Sequence, residues 1–78
     1  MSRKPKEELE RIGSAVESFR EKADLSRQQL ADEVGVHYQT IGYIERGEYA
    51  PSLILALKLA EALDASVEDI FWLEEKHE

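Results

Sequence analysis

The chain has 78 residues and a formal net charge of −7, and 35% of its residues are charged. This length suffices for one domain with a small hydrophobic core, and the absence of cysteine excludes a disulfide framework and thiolate metal sites. The sequence contains no long apolar run and no signal-like N-terminus, so neither membrane insertion nor export is expected, and the cytoplasm is the default compartment.

The sequence divides into an arm, one domain and a tail. Residues 1–6 include Arg3, Lys4 and Lys6 and are interpreted as a flexible basic N-terminal arm. Residues 7–73 are expected to form a single helical domain, because no repeat, low-complexity tract or linker interrupts them. Residues 74–78 are interpreted as an acidic C-terminal tail.

The first predicted helix runs from about Lys6 to Ala23. Its apolar side has helical spacing and consists of Leu9, Ile12, Val16, Phe19 and Ala23. Gly13 lies inside this helix and weakens it, because glycine loses more backbone freedom on folding than other residues do. No strand is predicted anywhere in the chain.

A capping signal marks the start of the second helix. Ser26 can cap a helix that begins at Arg27, and Gln29 can complete a capping box. The helix is predicted to end near Val34, because Gly35 follows at a position that often requires a positive φ. Its apolar stripe consists of Leu30, Ala31 and Val34.

The third helix follows after one tight turn. It begins at His37 or Tyr38, presents Ile41 and Ile44 on one face, and ends at Gly47. Two short helices in this arrangement predict a helix-turn-helix, in which the second helix can protrude into the major groove of DNA.

Two further helices are predicted after the motif. One spans Leu53 to Leu63, is capped by Ser52 and is apolar nearly all round, so it is expected to be a central helix covered by the others. The last helix spans Val67 to about Phe71 and is capped by Ser66.

The motif region also carries a family pattern. This pattern consists of Leu25-Ser26, Leu30-Ala31, Gly35-Val36, Gln39-Thr40-Ile41, Ile44-Glu45, Gly47 and Pro51-Ser52-Leu53. It resembles the Cro and phage-repressor type of helix-turn-helix protein, also called the xenobiotic-response-element family. The similarity extends to Phe19-Arg20 and residues 65–71, and so covers roughly residues 12–72. It implies an all-α, compact five-helix bundle of the lambda-repressor-like type, with the helix-turn-helix at helices 2 and 3.

The resemblance implies that residues 37–46 form the recognition helix. Its outward positions give four candidates for base contacts: Gln39, Tyr38, His37 and Tyr43. Gln39 is the strongest of them, since a carboxamide can bond adenine at N6 and N7 in the major groove. The alternative for Gln39 is a solvated polar position, and Tyr38 and Tyr43 are equally consistent with partly buried core positions.

Four residues are expected to contact phosphates: Arg27, Gln28, Thr40 and Arg46. The resemblance assigns this role to Thr40 and Arg46. Arg27 stands where members often place a glutamine that binds a phosphate, and an arginine can keep that contact. His37 stands where members usually have a serine or threonine cap. Because histidine is expected to cap poorly, His37 either touches DNA or has no role.

Two pairs of residues are assigned to folding and assembly. Arg20 and Glu45 resemble a structural ion pair that ties the first helix to the recognition helix, and the alternative is two exposed charges. Trp72 and Leu73 are expected to be exposed and to form a homodimer interface, as in related domains that dimerise near their last helix. The alternative is that Trp72 folds back onto its own chain.

These features favour a small dimeric transcriptional regulator that binds double-stranded DNA in a sequence-specific manner and acts as a repressor. The net charge of −7 opposes this, because duplex binding depends on cations that neutralise phosphates, so weak non-specific binding is expected. The alternative is a protein-binding adaptor or antitoxin that retains the fold and binds a partner such as a toxin. No enzyme is expected, since the sequence has no nucleophile–base arrangement and no phosphate-binding glycine loop. No metal or other cofactor is predicted, because only two histidines and no cysteine are available.

Overall fold

The computed structural model describes residues 10–75, which form five helices between two strands. In chain order the elements are β1 (Glu10–Ser14), α1 (Val16–Lys22), α2 (Arg27–Val34), α3 (Tyr38–Glu45), α4 (Leu53–Ala62), α5 (Val67–Ile70) and β2 (Phe71–Glu75). The predicted basic arm and the last three residues of the predicted acidic tail lie outside the described residues. None of the described helices is long and apolar enough to cross a membrane.

The N-terminal part of the domain differs from the prediction. α1 begins at Val16 rather than near Lys6, and residues 10–14 form β1, which pairs with β2 in antiparallel orientation. The prediction of a chain without strands is therefore wrong for this small sheet. The apolar spacing of Ile12 and Val16 suits a helix, but Gly13 disfavours one, and the aromatic segment after α5 provides a partner strand.

Trp72 packs on Gly13, its partner across the sheet. A Cβ atom added to Gly13 would overlap the indole atoms Nε1 and Cε2 of Trp72, so only glycine leaves room for this ring. Trp72 thus folds onto its own chain, as the alternative interpretation held. It nevertheless remains 45% exposed, and the neighbouring Leu73 is 71% exposed.

The two motif helices form as predicted. Ser26 Oγ accepts a hydrogen bond from the backbone N–H of Gln29 at 3.0 Å, and Gln29 Oε1 accepts one from the N–H of Ser26 at 2.8 Å. These two bonds complete the capping box at the start of α2. Gly35 ends this helix with a φ of 80°, and Gly47 follows α3 with a φ of 74°.

The core lies between the helices, and each of the five helices contributes to it. Its buried members are Val16, Leu30, Ala31, Val34, Ile41, Ile44, Leu55, Leu59, Ala60, Leu63 and Ile70. Ile41 and Ile44 are fully buried, so α3 turns its predicted apolar face towards the core. The opposite face of α3 is thereby left at the surface.

The sequence predicted that the fourth helix is covered by the others, but only one side of it is covered. α4 packs on α2 and α5 with the face that carries Leu55 and Leu59. Its opposite face exposes three large apolar side chains, Leu53, Ile54 and Leu57, by 70%, 68% and 53%. The prediction was wrong because apolar residues occur on both faces of α4, while neighbouring elements cover only one of them.

The substitution Gly13→Ala should destabilise the domain, although alanine is ordinarily the better residue in a strand. Because the added methyl group overlaps the indole of Trp72, we expect the free energy of unfolding to fall by about 1–3 kcal/mol. Chemical denaturation followed by circular dichroism measures this loss. In a Trp72→Ala background the same substitution should leave the free energy of unfolding nearly unchanged. An equal loss of stability in both backgrounds would contradict the packing of Trp72 on Gly13.

Candidate nucleic-acid interface

The outward face of α3 and the start of α2 form a shallow depression of about 150 Å³. Its lining residues are Arg27, Tyr38, Gln39, Gly42, Tyr43 and Arg46. Tyr38 and Tyr43 are 45% and 46% exposed, so neither is a core residue. The depression brings together three residues predicted to contact bases and two residues predicted to contact phosphates.

Helical spacing explains why these side chains share one face. Residues 38, 39, 42 and 43 of α3 and residue 46, which directly follows the helix, are spaced three or four positions apart and lie away from the buried Ile41 and Ile44. Gly42 contributes no side chain to the lining, and a Cβ added there would lie 3.4 Å from Arg46 Nη1. The long side chains around Gly42 therefore determine the shape of the depression.

Arg46 lies at one side of the depression and has two neighbours. Its guanidinium carbon is 5.3 Å from the centroid of the Tyr43 ring, and its Nε atom is 3.3 Å from Glu48 Oε1. The side chains of Arg46 and Glu48 are 49% and 55% exposed, so this ion pair contributes little to stability. Arg46 can consequently exchange Glu48 for another anion at low cost.

A buried carboxylate joins α3 to α1 and α2. The Glu45 side chain is 1% exposed; its Oε2 accepts a hydrogen bond from Arg20 Nε at 2.6 Å, and its Oε1 accepts one from Arg27 Nε at 2.9 Å. Arg20 also donates from Nη1 to the carbonyl oxygen of Leu25 at 2.8 Å. The ion pair that the resemblance implied for Arg20 and Glu45 is thus present, and the alternative of two exposed charges is wrong.

Sequence reasoning missed the contact between Arg27 and Glu45. The hydrogen bond and the negative charge of Glu45 raise the pKa of the Arg27 guanidinium above its ordinary value, and the charges of Glu17 and Glu21 act in the same direction. The signal in the sequence was the arginine itself, at a position where the family resemblance implies a glutamine. Its partner depends on how α2 and α3 cross, which the sequence pattern does not specify.

His37 caps α3, contrary to the expectation that it would cap poorly. Its Nδ1 atom accepts a hydrogen bond from the backbone N–H of Gln39 at 3.1 Å, and its ring stacks on Tyr38 with centroids 4.7 Å apart. A neutral imidazole offers one nitrogen as acceptor, and Nδ1 reaches the start of the helix as a serine oxygen would. A contact between His37 and DNA stays a prediction.

Four other predicted site residues lie outside the depression. Gln28 Nε2 donates to Asp32 Oδ1 at 2.9 Å along the exposed side of α2, and Thr40 is half-buried. Trp72 and Leu73 belong to β2. The phosphate contacts of Gln28 and Thr40, and the dimer contacts of Trp72 and Leu73, stay predictions.

The helix-turn-helix family profile HTH_3 matches residues 16–70. The chain belongs to this family. The uncharacterized HTH-type transcriptional regulator YgzD of Bacillus subtilis is 45% identical over 62 residues, which are 80% of this chain and 94% of the relative. An uncharacterized HTH-type transcriptional regulator of Methanothermobacter thermautotrophicus is 46% identical over 61 residues, which are 77% of this chain and 88% of the relative.

Solved structures of HTH_3-like regulators are also similar. The restriction-modification controller protein C.AhdI of Aeromonas hydrophila matches with a TM-score of 0.65 and 35% identity, over 69% of this chain and 82% of that one. SinR, the master regulator for biofilm formation, was solved in complex with DNA and matches with a TM-score of 0.62 and 30% identity, over 68% and 86%. The predicted family and the lambda-repressor-like fold are confirmed. The protein belongs to a family of DNA-binding transcriptional regulators and is not an enzyme.

The cap at His37 can be tested by a pair of substitutions. His37→Ala removes the acceptor for the N–H of Gln39 and should lower the free energy of unfolding by about 1 kcal/mol, whereas His37→Ser restores a good cap. Chemical denaturation at neutral pH compares the two variants with the parent. Alanine and serine variants of equal stability would contradict a capping role for this side chain.

Proposed function

We propose that the protein is a small dimeric transcriptional regulator that binds double-stranded DNA in a sequence-specific manner, and that it acts in the cytoplasm as a repressor. In this proposal residues 37–46 enter the major groove and α2 crosses the sugar-phosphate backbone. The observation that carries the proposal is the depression at α3, which is lined by one carboxamide, two tyrosines and two arginines.

Base recognition is assigned to the side chains that α3 presents outwards. The Gln39 carboxamide can accept a hydrogen bond from adenine N6 with Oε1 and donate one to adenine N7 with Nε2. Tyr38 and Tyr43 can place their rings against thymine methyl groups or sugars and their hydroxyls against phosphates. His37 is the fourth candidate for a base contact, because it stands at the start of α3.

Phosphate contacts are assigned to Arg27 and Arg46, with Gln28 and Thr40 as further candidates. The two arginines lie at the depression, and arginine matches a phosphate with two parallel hydrogen bonds. Each arginine also has a carboxylate partner within the protein. Together with the net charge of −7, this pairing favours weak non-specific attraction to DNA, so affinity should depend on short-range contacts and on dimerisation.

The dimer interface is assigned to Trp72 and Leu73. Leu73 is 71% exposed, and Trp72 keeps 45% of its surface accessible although it packs on Gly13. Large apolar side chains that stay exposed are typical of an interface, and in β2 these two residues lie on opposite faces of the sheet. A two-fold dimer of helix-turn-helix domains implies two DNA half-sites about 34 Å apart, one turn of the double helix.

The second candidate function is that of an adaptor or antitoxin that binds a protein such as a toxin. The exposed apolar face of α4 favours it, because Leu53, Ile54 and Leu57 form a surface that DNA binding does not use. One structural relative, SinR, was also solved in complex with the protein SinI, with a TM-score of 0.64 and 29% identity.

The decisive experiment is selection of the purified protein against a pool of randomised duplex DNA at near-physiological salt. We expect enrichment of an inverted repeat whose half-sites are one helical turn apart. Enrichment of a single half-site would remove the dimer from the proposal. If folded protein enriches no sequence, DNA recognition is wrong, and capture of a protein partner becomes the next experiment.

Two substitutions on α3 should separate base recognition from phosphate binding. Gln39→Ala should relax sequence preference at one position of each half-site, because it removes a contact worth about 1–3 kcal/mol of discrimination. Arg46→Ala should weaken binding to all sequences alike and reduce the salt dependence by about one ion. Binding titrations at several salt concentrations measure both effects. A Gln39→Ala protein that selects unchanged sites would remove Gln39 from base recognition.

A further inference from the structure

The guanidinium group of Arg27 has two sides with different surroundings. Its Nε atom donates to Glu45 Oε1 at 2.9 Å, and this carboxylate is 1% exposed. The Arg27 side chain as a whole is 44% exposed and lines the depression on α3. The Nε edge of the guanidinium is thus bound to a buried carboxylate, while the side chain still keeps 44% of its surface exposed.

Arg20 shares the carboxylate of Glu45 with Arg27. It occupies the other carboxylate oxygen at 2.6 Å and is itself 10% exposed, so it neutralises Glu45 from the interior. Glu21 also lies 4.0 Å from Arg20 Nη2, and the negative charges of Glu17 and Glu21 act on Arg27 as well, so the two guanidinium groups carry no excess of positive charge over the carboxylates around them. Of the two arginines that bind Glu45, Arg27 is the exposed one, so its guanidinium is the group that can reach a ligand at the surface.

We infer that Glu45 is a positioning residue for DNA binding, which holds Arg27 by Nε so that its Nη edge meets a DNA phosphate. This inference rests on the proposed function. An exposed arginine ordinarily samples many rotamers and loses that freedom when it binds a phosphate. A hydrogen bond to a buried, fixed carboxylate removes part of this freedom in advance, so less is lost on binding.

Arg46 provides the contrast within the same depression. Its partner Glu48 is 55% exposed and 3.3 Å away, and the two residues are close in sequence on an exposed turn. Glu48 therefore cannot fix the direction of Arg46, and by its charge it repels a nearby phosphate. The substitution Glu48→Gln is consequently a matched control for Glu45→Gln, since each removes one negative charge beside an arginine of the depression.

The two variants should change DNA affinity in opposite directions. By charge alone, removal of a carboxylate near the DNA backbone strengthens binding. We expect Glu48→Gln to bind the enriched duplex at least as tightly as the parent, and Glu45→Gln to bind it several-fold more weakly. Fluorescence anisotropy with labelled duplex measures the dissociation constants, at a temperature where circular dichroism shows each variant folded.

A double-mutant cycle separates positioning from a merely structural role. Arg27→Ala should weaken binding about ten-fold, as expected for loss of one charged hydrogen-bonding group, and Glu45→Gln should add no further loss in the Arg27→Ala background. If the fold losses of DNA affinity from the two single substitutions multiply in the double variant, the inference is overturned, since Glu45 would then act independently of Arg27. A Glu45→Gln protein that binds as tightly as the parent would also overturn it.

A second variant covers the case in which Glu45→Gln does not fold. Arg27→Lys keeps the positive charge but offers one ammonium group in place of two separate edges, so it cannot bind Glu45 and a phosphate in the same geometry. We expect it to lose most of the affinity contributed by Arg27 while keeping the salt dependence. Parent-like affinity of folded Arg27→Lys would overturn the inference. A parent protein that binds no duplex would instead show that the proposed function is wrong.

Discussion

The buried carboxylate of Glu45 determines how α1, α2 and α3 meet. With 1% of its side chain exposed, this group has lost its water, which is unfavourable unless opposite charges and hydrogen bonds replace the water. Arg20 and Arg27 supply both, one at each oxygen. α3 therefore cannot rotate or slide against α1 and α2 without leaving a buried charge unpaired.

The two-stranded sheet supports α3 at its C-terminal end, next to Glu45. β1 and β2 join the two ends of the described domain, and the backbone N–H of Ala15 donates to the carbonyl oxygen of Ile70 at 2.9 Å beside the sheet. The turn after α3 approaches β1 so closely that a Cβ added to Gly47 would lie 2.8 Å from the carbonyl oxygen of Ile12. Both ends of α3 are thus held, the first by its cap and the last by Glu45 and this turn.

The sequence predicted those features whose partners lie within a few residues. The capping box of Ser26 and Gln29 and the positive φ of Gly35 are local, and the bounds of α2 and α3 followed from such signals. The pairing of residues 10–14 with residues 71–75 joins distant segments, and the spacing of apolar residues contains no sign of it. For the same reason the contact of Arg27 with Glu45 could not be predicted, although Arg27 itself was recognised as a departure from the family pattern.

Charge pairing also affects how an acidic chain can recognise DNA. Arg27 and Arg46 each lie beside a carboxylate. The opposite charges largely cancel at a distance, so the depression attracts a phosphate only weakly before contact. At contact the two arginines differ, because Arg27 shares its carboxylate with Arg20 whereas Arg46 faces the exposed Glu48. On the proposed function, affinity would arise only when the groove fits α3 closely enough for direct hydrogen bonds. The specificity of such a protein would come from its very weak binding to non-matching sequences, rather than from high affinity for the matching site.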